Sequence, residues 1–115
     1  MLFGNLPWIS PELLNNNEDE EMSISPKRDI WAFAVIMWEI VTWQVPWRED
    51  CDSHAKFVQQ FRDGYRLKLP TFESDPGTAP PPLWYRQLFE GCYKENPEER
   101  WNIETIQSHL RGVYI

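Results

Sequence analysis

The chain has few of the groups that covalent or metal-based chemistry needs. Only Cys51 and Cys92 are present, and the two histidines, His54 and His109, lie far apart in 115 residues. A disulfide framework and a zinc site therefore both lack their ligands, and no nucleophilic triad of recognisable type is present. A reduced, intracellular protein is expected. Long apolar runs are missing too: the longest, Ile30 to Val41, is broken by Glu39 and falls short of the roughly 18 residues of a membrane-spanning helix. The N-terminus has no basic segment leading an apolar one, so no secretory signal is read. Positive charge is scarce as well. Eleven basic against 18 acidic side chains give a net charge of −7, which argues against nucleic acid or an anionic membrane as the main partner.

What is present is enough for one ordinary domain. The sequence is 42% hydrophobic and 15% aromatic, and Leu, Ile, Val and Phe number 28 of 115, above the roughly 20% below which high charge signals disorder. The acidity belongs mainly to the first half, where residues 1–50 hold nine acidic and three basic residues. No internal repeat is apparent, and four apolar blocks are separated by breaker-rich connections. Residues 7–14 form a short irregular segment with one helical turn after Pro11. An acidic loop follows over about residues 15–25, where Glu18, Asp19, Glu20 and Glu21 have nothing to bury and form a solvated run more readily than a cation site.

From Pro26 to Thr42 the residues are apolar almost all round the helical wheel, so this helix needs protein on every side. Ser53 begins a second, amphipathic helix with Phe57, Val58 and Phe61 on one stripe and Gly64 as its stop, leaving Lys56, Gln59, Gln60 and Arg62 for solvent or a partner. A Pro-rich loop over about 70–82 ends in Pro80, Pro81 and Pro82, which enter a third helix with Leu83, Leu88, Phe89 and Cys92 as its apolar set. The proline run reads as rigid entry rather than as a ligand for a proline-reading domain. Asn102 caps a last helix carrying Ile103, Ile106 and Leu110. No strand is predicted.

Four motifs in order carry a family resemblance. Trp8, Ile9, Ser10, Pro11 and Glu12 resemble the Ala-Pro-Glu end of a protein kinase activation segment, and Asp29, Ile30, Trp31, Ala32, Phe33 and Ala34 resemble the start of the kinase F helix. Trp38 and Glu39, then Val45, Pro46 and Trp47, are similar to the end of that helix in tyrosine and tyrosine-kinase-like families. The run Cys92 to Arg100 resembles the link between helices H and I. The resemblance covers about residues 7 to 111 and implies a mainly α fold: a partial protein kinase-like C-lobe, with the end of the activation segment and helices F to I and no N-lobe sheet, over residues 1–115.

Within that superfamily the Phe33-Ala34 pair, the Trp31 to Val35 frame, the Glu39 to Thr42 run and the long link from Glu12 to Asp29 are most similar to the integrin-linked kinase family. That resemblance implies a pseudokinase scaffold that binds a parvin-like protein, in the cytoplasm and at cell-adhesion sites. The alternative it leaves open is a fragment of an active ATP-dependent protein kinase. Phosphoryl transfer in kinases needs a Gly-rich loop, a lysine paired with a helix C glutamate, a catalytic-loop Asp and Asn, and a metal-binding Asp in Asp-Phe-Gly. None occurs in this sequence, whose five glycines never approach a Gly-x-Gly spacing. No catalytic residue, cofactor or metal is therefore assigned, and ATP and magnesium would enter only with an active full-length domain.

The resemblance also implies roles for particular side chains. Glu12 and Arg100 would form a buried bidentate ion pair; as two solvated surface charges they would contribute little. Asp29 and Trp31 would anchor the F helix, with Asp29 otherwise simply favouring the helix dipole. Trp101 stands where the family's arginine is usually followed by proline, which alters that corner. The candidate partner-binding set is Lys56, Gln59, Arg62, Tyr65 and Arg66, on and just after the family's G helix, with Lys68 close by; it suits an acidic or amphipathic partner. Without helix E and the catalytic loop, part of the Trp- and Ile-rich F-helix surface is expected to be exposed.

Overall fold

The computed structural model describes residues 8, 10–11, 26–44, 46, 54–71, 77 and 79–113. Among them are four α-helices and no strand: α1 (Pro26–Thr42), α2 (His54–Arg62), α3 (Leu83–Cys92) and α4 (Ile103–Val113). Glu12, Ser53, Cys51, the acidic run and residues 72–76 and 78 of the Pro-rich loop lie outside the described residues. The expected Glu12–Arg100 pair, the Ser53 helix start and the turn after Pro11 fall there with them.

α1 has the bounds its apolar run predicts, and it lies at the centre. Ile30, Trp31, Ala34, Val35, Met37 and Trp38 are buried, packed with Phe57 and Phe61 of α2, Leu67 and Leu69 of the following extended segment, Leu88, Phe89 and Cys92 of α3, and Ile106 of α4. Five of these fourteen residues are aromatic. Trp31 stacks on Tyr93 with centroids 4.2 Å apart, and Phe89 stacks on Tyr93 at 4.8 Å, geometry that adds to the burial of the rings themselves. The other side of α1 is open: Phe33, Ile36 and Ile40 are exposed, Ile40 to 61%, in line with the expected exposure of part of this helix.

The connections after α2 and after α3 are fastened by polar groups that would otherwise be buried unpaired. Segment 65–70 is strapped across the core by three bonds: Trp38 Nε1 donates to Lys68 O at 2.9 Å, Leu67 N donates to Tyr93 Oη at 3.1 Å, and Arg86 Nη2 donates to Pro70 O at 2.9 Å. Gly64, at φ 100°, makes the turn that lets this strap leave α2. Asn102 Oδ1 accepts from Thr105 N at 2.8 Å and caps α4 as expected. Pro82 sits in extended backbone immediately before α3.

Two expected core residues are not core. Leu83 is 68% and Ile103 51% exposed. Each is the first residue of its helix, so its side chain overhangs the end of the packed face even though it lies on the correct stripe. α1 ends with Trp43 at φ 59°, a left-handed conformation usually taken by glycine.

Candidate functional site

Two places gather the polar side chains singled out by the sequence. The first is the corner where the α3–α4 connection meets the start of α1. Arg100 is only 2% exposed, and its guanidinium donates to three backbone carbonyls: Nε to Lys94 O at 2.9 Å, Nη1 to Lys27 O at 2.6 Å and Nη2 to Glu95 O at 3.1 Å. It also lies over Trp31, 5.3 Å from the ring centre. A planar, five-donor cation suits this array, and a lysine ammonium would not span it.

Lys27 completes the corner and was missed in the sequence. Its Nζ donates to Pro97 O and Arg100 O, each at 2.7 Å, so α1 and the α3–α4 connection are tied in both directions. One signal was available: a lysine in the first turn opposes the helix dipole, so an ammonium placed there needs acceptors elsewhere. Trp31 is fully buried beneath the corner, while Asp29 is exposed in the first turn of α1, the position a dipole-favouring carboxylate takes. Asp29 lines a cavity of about 290 Å³ with Ile30, Phe33, Ile103 and Ile106.

Trp101 is accommodated by the absence of a side chain at Gly91. A Cβ there would lie 2.3 Å from the indole, and Trp101 N donates to Gly91 O at 3.0 Å. His109 then packs edge-on to Trp101 with centroids 5.1 Å apart, and its Nε2 lies 2.8 Å from Trp84 O. This histidine braces α4 against α3.

The second place is the outer face of α2 and the turn after it. Lys56, Gln59 and Arg62 are exposed, and Tyr65 is 45% exposed. Gln59 Nε2 donates to Asp63 Oδ1 at 2.9 Å. Arg66 differs from its neighbours: it pairs with the Glu95 carboxylate, donates to Phe61 O at 2.8 Å and Tyr65 O at 2.7 Å, and lies 3.5 Å from the centre of the Phe61 ring. Arg66 thus holds the turn in place while Arg62 and Lys68 face solvent. Between this turn and α1 lies an open cleft of about 600 Å³ lined by Trp38, Gln60, Asp63, Gly64, Tyr65, Arg66, Leu67 and Lys68.

Among the described residues no group of three or more His, Cys, Asp or Glu side chains could hold a metal ion. Burial pushes the Cys92 thiol up to about 12 despite the opposing charge of Arg100, so it is not a thiolate nucleophile near neutral pH. Burial raises Tyr93 as well, and Tyr85 likewise. Among the described residues no helix is long and apolar enough to cross a membrane. The corner is buried and hydrogen-bonded, and the α2 face is polar and exposed.

Comparison with known proteins agrees with the residues. The profile of the protein tyrosine and serine/threonine kinase family matches residues 3–110. Over 110 residues the chain is 30% identical to mitogen-activated protein kinase kinase kinase zak-1 of Caenorhabditis elegans, covering 96% of this chain and 13% of that protein. It is 30% identical over 111 residues to human mitogen-activated protein kinase kinase kinase 11, covering 96% and 11%, and 29% identical over 111 residues to tyrosine-protein kinase SRK2 of Spongilla lacustris, covering 96% and 26%. The chain therefore spans between about a tenth and a quarter of the length of these relatives.

Proposed function

We propose, for a chain that belongs to the protein tyrosine and serine/threonine kinase family, that it is the docking part of a kinase-like domain, a C-lobe module that recognises a protein partner through the outer face of α2 and the turn after it. The observation that carries this reading is the contrast between Arg100, buried and donating to three backbone carbonyls, and Arg62 and Lys68, which are exposed on either side of a turn that Arg66 fixes. Fixed, exposed charge on a rigid support serves recognition. Acting through binding alone makes the module scaffold-like, and the Phe33-Ala34 frame and the Glu39 to Thr42 run support kinship with the integrin-linked kinase pseudokinases, with a parvin-like partner and a cytoplasmic, cell-adhesion setting.

A second reading has its own support in the names of the relatives, which are protein kinases. In that reading the segment belongs to an active ATP-dependent kinase, and the residues that handle ATP and magnesium lie outside it. The sequence of the full-length parent separates the two: an intact catalytic-loop Asp and metal-binding Asp favour the enzyme, and their replacement favours the scaffold.

The docking reading is tested by amine-directed cross-linking of the full-length parent in its native complexes. Cross-links from Lys56 and Lys68 to a second polypeptide are expected, with few from Lys27, whose ammonium is engaged in the corner. Their absence, together with unchanged partner binding on Arg62→Glu, would overturn it.

A further inference from the structure

Trp43 is placed at a cost that burial does not offset. It follows α1 at φ 59°, where a bulky side chain is strained and glycine sits freely, yet it is 93% exposed. A backbone outlier of this kind persists only where the surrounding structure holds it, and such outliers gather at working surfaces. Three bonds provide the hold: Trp43 N donates to Glu39 O at 2.8 Å, Thr42 Oγ1 donates to Trp38 O at 2.9 Å, and Gln44 N donates to Thr42 Oγ1 at 3.3 Å. The indole is therefore carried in solvent on a fixed backbone.

Negative charge surrounds this position. The carbonyls that end α1 have no further helical turn to accept from, and the last turn holds no basic side chain to balance the helix dipole. Glu39 stands one turn before Trp43, and its carboxylate accepts from the uncharged Trp8 indole at 2.8 Å, a bond that leaves its charge in place. From residue 39 to residue 52 the sequence has four acidic residues against one basic, in a chain of net charge −7.

We infer that Trp43 anchors an arginine-bearing segment of a partner protein, with a guanidinium lying on the indole face and its N–H groups turned toward the carbonyls that end α1. Of the aromatic side chains, Trp attracts a cation over its ring most strongly. Arginine suits the place better than lysine, because a planar, weakly hydrated guanidinium stacks on a ring and still has donors free at its edge. An anionic membrane, the other surface that takes up an exposed Trp, is repelled by a chain of this charge. None of the residues assigned to the α2 face takes part, so the docking reading above can fail while this one stands.

The test uses the full-length parent and fluorescein-labelled 12-residue peptides of Gly and Ser that carry three arginines, with citrulline or lysine in place of arginine in two controls. Fluorescence anisotropy should show the arginine peptide binding at least tenfold more tightly than the citrulline peptide, which keeps the shape and loses the charge, and more tightly than the lysine peptide. Trp43→Gly should lose at least tenfold in affinity while melting no more than about 3 °C below the parent, because glycine takes up φ 59° without strain. Trp43→Phe should keep part of the binding. Citrulline or lysine peptides that bind as tightly as the arginine peptide, or unchanged binding by Trp43→Gly, overturn the inference. A larger fall in melting temperature on Trp43→Gly overturns it too, since the indole would then be packed within the parent. Binding to phosphatidylserine vesicles, or dimerisation, that depends on Trp43 assigns the indole to a lipid surface or to a second copy and overturns it as well.

Discussion

The α3–α4 corner and the outer face of α2 use the same side-chain chemistry for opposite ends. At the corner, Arg100 and Lys27 bring their charges up to backbone carbonyls, with bonds between 2.6 and 3.1 Å among the described residues. On the α2 face, Arg62 and Lys68 stay in water, and only Arg66 turns inward. Desolvation explains the difference. A buried cation is tolerable only when its donors are satisfied, so the corner is committed to structure, while an exposed cation keeps its charge available to a partner.

Removing the Arg100 guanidinium should have the largest effect. Arg100→Ala leaves the carbonyls of Lys27, Lys94 and Glu95 short of a donor and is expected to cost about 3–5 kcal/mol, read by urea denaturation; a loss below about 1 kcal/mol would erase the contrast with the α2 face. Gly91→Ala comes next, because its methyl would collide with the Trp101 indole. It should cost about 1–3 kcal/mol, and in a double-mutant cycle with Trp101→Pro the two effects should fail to add.

A pH series sharpens the same contrast at smaller scale. Cys92 is raised from 9.0 to about 12 by burial, so the unfolded thiol ionises first and the folded state binds more protons in between. The stability it contributes is complete below about pH 9 and is lost as pH rises towards about 12. Cys92→Ala should blunt the early part of that decline, leaving the later part to Tyr85 and Tyr93, whose phenols are raised from 10.0. Smallest of all is the stability change on Arg62→Glu with Lys68→Glu, within about 0.5 kcal/mol as for other exposed substitutions. A larger loss would place these cations with Arg100.

The architecture was legible because periodicity and punctuation agreed. The α1 run, the Gly64 stop, the Pro82 entry to α3 and the Asn102 cap all stand where the residues put them. The expected exposure of α1 is seen at Phe33, Ile36 and Ile40. Stripe membership does not say how far packing reaches along a helix, which is why Leu83 and Ile103 were misplaced. The fit of Trp101 over Gly91 is a contact between residues ten apart that no periodicity encodes. Trp43 shows the opposite limit. At φ 59° and 93% exposed, it takes a turn that sequence would reserve for glycine, with no partner ring to explain it among the described contacts.

The separation between corner and face is tested most directly by amide hydrogen exchange of the full-length parent, alone and in its native complexes. Slowing at the end of α2 and residues 64–68, with exchange at 91–101 unchanged, is the predicted result. Slowing centred on the Arg100 corner, or along Phe33, Ile36 and Ile40, would contradict the account.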